Sequence, residues 1–253
     1  MNLIVGGDSL IGGQLASYWK QRQVSLRATT RKQSEASAER PYLDLETMEW
    51  SSVLEEQYDT VVFCAGVTKL SECESNPQRS YRINVENAVI LLTELLKRAG
   101  YLLILSSSQV FDGLKPCRAV DEVTCPITEY GRQKVALEEA ILAYPNTGVL
   151  RLTKVVHQDW NLLVNWREKL LRGEPIEALS NVTFAPLDVA QVVRKIDELV
   201  GECSASIHHL SGPKDISYVF FAKQLALDLG ASPSLVREVR VDPKERTVYA
   251  SLS

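Results

Sequence analysis

Short, almost unbroken apolar runs separated by helix-periodic stretches constrain this chain's fold more than any other feature. The runs are residues 2–6, Val24–Ala28, Thr60–Ala65, Tyr101–Leu105 and Gly148–Leu152. A strand that is apolar on both sides of its pleat must be covered on both faces, whereas a half-solvated strand alternates. Helical patterns lie between the runs, from Leu10 to about Arg22, from Pro77 to Arg98 and over 130–143. This alternation predicts an α/β fold built on a Rossmann-type doubly wound parallel sheet. After Leu152 it loosens into helix patterns near 160–172, 188–200 and 217–229, separated by Gly, Pro and short strands. We therefore expect a Rossmann domain over 1–153, with a returning segment near 181–205. A smaller C-terminal lobe is expected from 154–180 and 206–253.

The first strand runs directly into Gly6-Gly7-Asp8-Ser9-Leu10-Ile11-Gly12-Gly13. A glycine-rich turn between a first strand and helix brings backbone N–H groups and the positive helix end up to a pyrophosphate. At the spacing Gly6-x-x-Ser9-x-x-Gly12, Ser9 stands where the middle glycine is expected. Such a turn can also serve tight packing alone, but its place after strand one favours a cofactor. An acid at the end of the second strand would hold a ribose 2′-hydroxyl. Val24 to Lys32 contains none and ends in Arg27-Ala-Thr-Thr-Arg31-Lys32. A guanidinium suits a 2′-phosphate. Arg31 is the first choice for that contact, Lys32 the second, and Arg27 is expected to point elsewhere. NADP is thus favoured, with NAD as the alternative.

Tyr130-Gly-Arg-Gln-Lys134 places a phenol and an ammonium one helical turn apart on the same face. A nearby cation favours phenolate, so the pair is expected to lower the tyrosine pKa and exchange a proton with a carbonyl oxygen. Taken alone, this spacing also fits a solvated helix face.

Composition narrows the alternatives. With 45% hydrophobic and 24% charged residues and a net charge of −4, nothing favours nucleic acid or an anionic membrane as partner. No apolar run approaches the ~20 residues that span a bilayer, and the opening Met-Asn-Leu-Ile-Val reads as a strand, not a signal peptide. Five cysteines without a C-x-x-C pair suggest reduced thiols and a cytoplasmic location. The three histidines, His157, His208 and His209, lack zinc spacing, so no metal site is expected.

In chain order these motifs resemble an extended short-chain dehydrogenase/reductase. The chain is most similar to the dTDP-4-dehydrorhamnose reductase-like sugar-nucleotide reductases. The resemblance covers the glycine loop, Asp44-Leu45 after a short third strand, Cys64-Ala65-Gly66, Asn84-Val85, and Leu105-Ser-Ser107-Ser108-Gln-Val-Phe111-Asp-Gly113. It continues through Tyr130–Lys134, Leu150-Arg-Leu-Thr153, Ile207–Gly212 and Ser251-Leu-Ser253. It implies catalysis by Ser107, Tyr130 and Lys134, with Ser107 bonding the reacting carbonyl, Tyr130 giving the proton and Lys134 holding the nicotinamide ribose. The Val110–Gly113 match selects Ser107 among three consecutive serines. The cofactor contacts it implies are Gly6, Ser9, Leu10, Ile11, Gly12, Arg31, Asp44, Leu45, Cys64, Ala65 and Gly66, with Tyr130 and Lys134. Substrate contacts fall to Ser107, Ser108, Phe111 and Lys154. The chain departs from the family at Ser108-Gln109, which replace an Asp-Tyr pair, and at Lys154 and His157.

The expectation is an NADP-dependent oxidoreductase acting on a keto group of a nucleotide sugar. Two alternatives stand beside it: an epimerase or dehydratase with tightly held NAD, and a non-catalytic cofactor-binding regulatory protein. Family members often dimerise, which makes the helices at 77–98 and 130–143 candidates for a homodimer interface.

Overall fold

The computed structural model describes residues 1–242 and 248–253; residues 243–247, inside the range expected for the lobe, lie outside the described residues. In chain order the strands are β1 (Asn2–Val5), β2 (Leu26–Ala28), β3 (Tyr58–Phe63), β4 (Ala99–Ser107), β5 (Thr147–Leu152), β6 (Val155–Val156), β7 (Ile176–Leu179), β8 (Thr183–Phe184), β9 (Leu187–Asp188), β10 (Ile207–Leu210), β11 (Ile216–Ser217) and β12 (Val236–Val239). The helices are α1 (Leu10–Gln21), α2 (Leu70–Ser75), α3 (Pro77–Tyr81), α4 (Ala88–Leu96), α5 (Glu129–Leu142), α6 (Asn161–Leu171), α7 (Val189–Glu202) and α8 (Tyr218–Asp228).

Six strands form one parallel sheet in the order β10-β5-β4-β3-β1-β2. Alternate residues of each strand face opposite sides, as the unbroken apolar runs require. Leu3, Val5, Val61, Phe63, Leu102 and Ile104 pack against Leu91 and Leu95 of α4 and Leu137 and Ile141 of α5. Ile4, Val62, Leu103, Leu105 and Leu150 pack against Leu15 and Trp19 of α1 and Val192, Ile196 and Leu199 of α7. The buried Trp19 satisfies its indole N–H on Asp197 of α7 at 2.7 Å. A separate core of Trp166, Leu170, Ile176, Ala178, Val219, Ala222 and Val236 lies in a small lobe where α6 and α8 meet the β7–β12 pair. Among the described residues, no helix is long and apolar enough to cross a membrane.

Three expectations need correction. The segment before Asp44 is not a strand. It runs beside β2, with Ala28 N–H donating to Glu39, Thr30 N–H to Pro41 and Leu43 N–H to the Thr30 carbonyl, but only isolated bridges form. Pro41 has no N–H to give, which interrupts any ladder there. Next, β10 belongs to the central sheet, paired with β5 from Ile207–Val149 to Leu210–Leu152, so the returning segment runs past 205. Two histidines in that strand masked its membership. Finally, the helix expected over Pro77–Arg98 contains a π-helical stretch, Arg82–Asn87, between α3 and α4.

Candidate active site

The chain passes from β1 to β2 on one side and then returns to β3 on the other, which leaves a crevice at the carboxyl ends of β1 and β3. A cavity of about 350 Å³ opens there, lined by Gly6, Ser9, Arg31, Asp44, Leu45, Cys64, Ala65 and Gly66 among the expected cofactor residues. Leu10, Ile11, Gly12, Tyr130 and Lys134 do not form its wall.

The first turn shows why those residue types are needed. Gly6 has φ +95°, and a Cβ there would stand 2.8 Å from the Ala65 amide nitrogen, so the ends of β1 and β3 touch only through a glycine. Ser9 is the N-cap of α1. Its hydroxyl accepts from the Gly12 N–H at 3.1 Å and donates to the Gly6 carbonyl at 2.7 Å. The serine therefore ties the turn to the helix start. Gly12 is buried against that same carbonyl. The N–H groups of Leu10 and Ile11, in the first turn, have no partner within the helix and point the positive end of α1 outward.

Charges around the cavity are mostly paired. Arg27 reaches Glu56 at 3.3 Å, away from the cavity, and Lys32 holds Glu35 at 2.8 Å. Arg79 is held by Glu46 at 2.6 Å and Glu72 at 2.8 Å. Of the cations lining the wall, Arg31 and Lys69 have no ion pair among the described residues. Sequence reasoning missed Lys69, Arg79, Thr29 and Asp8. Only Asp8 carried a signal, lying inside the glycine loop itself.

The π-helical stretch places two carboxamides against this wall. The Asn84 side chain accepts from the Val67 N–H at 2.7 Å and donates to the Val67 carbonyl at 2.9 Å. The Asn87 side chain donates to the Leu45 carbonyl at 2.7 Å. A widened turn lets Ile83, Asn84, Val85 and Asn87 all face inward, which a regular helix would not. Asn84 also donates to Gln133 of α5 at 2.8 Å, and Gln133 donates to Ser80 and Glu129.

The other side of the crevice is built by α5 and the end of β4. Thr128 caps α5 by accepting from the Gly131 N–H at 3.0 Å. A Cβ at Gly131 would stand 2.1 Å from the Gln109 carbonyl oxygen, so this glycine lets the turn bearing Tyr130 lie directly on the turn after β4. In that turn the Ser107 hydroxyl accepts from the Gln109 N–H at 3.2 Å. Ser106 and Ser108 are buried, and Ser107 is the more open of the three.

Lys134 is 8% exposed and donates to the Leu105 carbonyl at 2.9 Å. Burial pulls its ammonium down to about 8, against an upward pull from Glu138. It lies near enough to Cys64 for its charge to act on that thiol, which burial pushes up to about 12. Helix α5 thus adjoins the cavity wall. The expected lowering of the Tyr130 pKa is not found. Burial pushes the phenol up, and the nearby Cys73 adds to this. The Lys134 ammonium sits 5.6 Å from the centroid of the Tyr130 ring and is held by a backbone carbonyl instead of the hydroxyl.

Two expected substrate contacts are also revised. Phe111 is 1% exposed, flanked by the guanidinium groups of Arg118 and Arg151 and edge-on to His209. It braces the loop and has no surface to offer a ligand. Ser108, 6% exposed, is likewise buried within its turn. Lys154 is exposed beyond β5, its ammonium 4.6 Å from the ring centroid of Trp160. Trp160 in turn packs with Phe184, Tyr218 and Phe221, an aromatic group that no sequence motif announced.

The family model described as the RmlD substrate binding domain matches residues 1–253. A dTDP-4-dehydrorhamnose reductase of Sinorhizobium fredii is 31% identical over 187 residues, 68% of this chain and 62% of that protein. A dTDP-4-keto-6-deoxy-D-glucose reductase of Streptomyces niveus is 28% identical over 189 residues, 72% of this chain and 65% of that protein. These matches span less than two thirds of either relative's own length. Among solved structures, a dTDP-4-dehydrorhamnose reductase of Bacillus anthracis in complex with NADP superposes with a TM-score of 0.83. It is 21% identical and covers 100% of this chain and 89% of that one.

Proposed function

We infer that this chain, which belongs to the RmlD substrate binding domain family, is an NADPH-dependent reductase of a keto group on a nucleotide sugar. The observation that carries the reading is the convergence of eight expected cofactor residues on one cavity, with Lys134 beside its Cys64 wall. The residues present fit a dinucleotide. The close approach at Gly6 leaves room only for backbone, and the α1 N-terminus suits a pyrophosphate. Arg31, with no ion pair among the described residues, supports a 2′-phosphate contact, and the Bacillus anthracis relative carries NADP; NAD is the alternative.

A bound dihydronicotinamide would supply the hydride that reduces the carbonyl carbon. Ser107 orients the carbonyl by donating a hydrogen bond to its oxygen, as an oxyanion-type donor that keeps its proton. Tyr130, kept protonated by burial, gives its proton to that oxygen as the alcohol forms. The Lys134 ammonium then offsets the phenolate left behind, which is when its charge is worth most. The homologues' names point to a dTDP-4-keto-6-deoxy sugar as the substrate class.

The test is NADPH oxidation with nucleotide 4-keto sugars. Tyr130→Phe is expected to keep NADPH binding and lose about 10²–10⁴-fold in kcat. Unchanged turnover would remove the mechanism, and no oxidation with any such substrate would remove the function.

A further inference from the structure

We propose that Asp8, with its charge balanced by Arg40, sets how strongly this chain discriminates between cofactors with and without a 2′-phosphate. The proposal rests on the dinucleotide reading above. Asp8 lines the cavity beside Gly6, Ser9, Thr29 and Arg31. One carboxylate oxygen accepts from the Thr30 hydroxyl and from the Arg31 N–H, both at 2.9 Å. The other accepts from the Arg40 guanidinium at 2.8 Å. The glycine turn therefore delivers an acid to the end of β2, where the strand's own sequence has none.

An acid at that place ordinarily receives a ribose 2′-hydroxyl and repels a 2′-phosphate. Here its charge is not left open. Arg40 bridges Asp8 and Glu35, the latter at 2.7 Å, and Lys32 also holds Glu35 at 2.8 Å. Together with Arg31, three cations face two carboxylates, and the surplus positive charge belongs to Arg31. The side chains of Arg40 and Asp8 are 37% and 25% exposed, so salt screens their charges only in part and low ionic strength brings out their effect. On this balance Asp8 restrains the preference for a phosphorylated ribose, and Arg40 keeps the restraint from becoming a rejection.

Asp8→Asn retains an acceptor for the Thr30 and Arg31 donors and removes the charge. Arg40→Met removes the balancing cation and keeps side-chain bulk. Dissociation constants for NADPH and NADH, measured by fluorescence titration of the whole protein without substrate at low ionic strength, give the ratio that decides. Asp8→Asn should shift the ratio toward NADPH by about three- to tenfold, and Arg40→Met should shift it toward NADH by a similar factor. Ratios within about twofold of the parent in both variants, with both cofactors still bound, would overturn the proposal and leave the dinucleotide reading intact. Failure of the parent protein to bind either cofactor would overturn both.

Discussion

The two sides of the crevice handle charge in opposite ways. On the side formed by the ends of β1, β2 and β3, ionic groups are numerous, partly solvated and mostly paired, as in the Arg79 and Arg40 clusters. Shape there comes from backbone brought close at Gly6. On the α5 side the Lys134 ammonium and the Glu138–Arg151 pair are enclosed, and burial displaces the pKa of both Tyr130 and Lys134. The difference teaches that recognition on the first side is a matter of which partners are left unpaired. On the proposed function, reactivity on the second is a matter of how little water remains.

That contrast can be broken by experiment. The largest stability effect should come from the enclosed side, where Glu138 and Arg151 form an ion pair at 2.7 Å, each side chain 3% exposed. Glu138→Leu strands the guanidinium and should cost about 3–5 kcal/mol in urea unfolding. A loss no greater than that of an exposed pair would show that water reaches this side after all.

Glycine substitutions come next. Gly131→Ala forces a methyl onto the Gln109 carbonyl and should cost about 1–3 kcal/mol, lowering kcat while NADPH affinity holds. Gly6→Ala should do the reverse, weakening NADPH binding first, because its strain falls at the β1–β3 contact. Loss of both properties in either variant would mean that the two sides cannot be separated.

The smallest effect is a pH response. With its folded pKa drawn down to about 8 from an ordinary value near 10.5, Lys134 loses its ammonium as pH rises through about 8. Reductase activity should fall over that limb, and Lys134→Met, already slow, should lack it. Between about 8 and 10.5 the unfolded chain binds a proton that the folded one does not, so this group's contribution to stability rises with pH there and its penalty is fully present below. Unfolding midpoints across the range, parent against Lys134→Met, measure that contribution.

Much of this was legible in the sequence, for a physical reason. Apolar runs buried on both faces and a strand–glycine–helix junction are local patterns, and the sheet and the cavity wall at the ends of β1 and β3 follow from them. What escaped depends on contacts distant in the chain. The π-helical stretch at Arg82–Asn87 reads as ordinary helix until Val67 and Leu45 call for its two carboxamides. The glycine between Tyr130 and Arg132 looks neutral until the Gln109 carbonyl is set beneath it. The direction of the Tyr130 shift is not readable from four-residue spacing, which reports a shared face and not where the ammonium finds its hydrogen bond. Phe111 reads as a ligand contact until the guanidinium groups of Arg118 and Arg151 are set against its ring.

The Asn84–Gln133 bond joins the two sides with a pair of carboxamides, each able to give and to accept. Asn84 spends its other contacts on Val67, and Gln133 on Ser80 and Glu129 at the start of α5. Neither residue can be exchanged alone for an apolar one without leaving a partner unbonded in an enclosed place. Descendants of this chain that alter one of these positions should therefore alter the other as well, so that the pair is inherited as a unit.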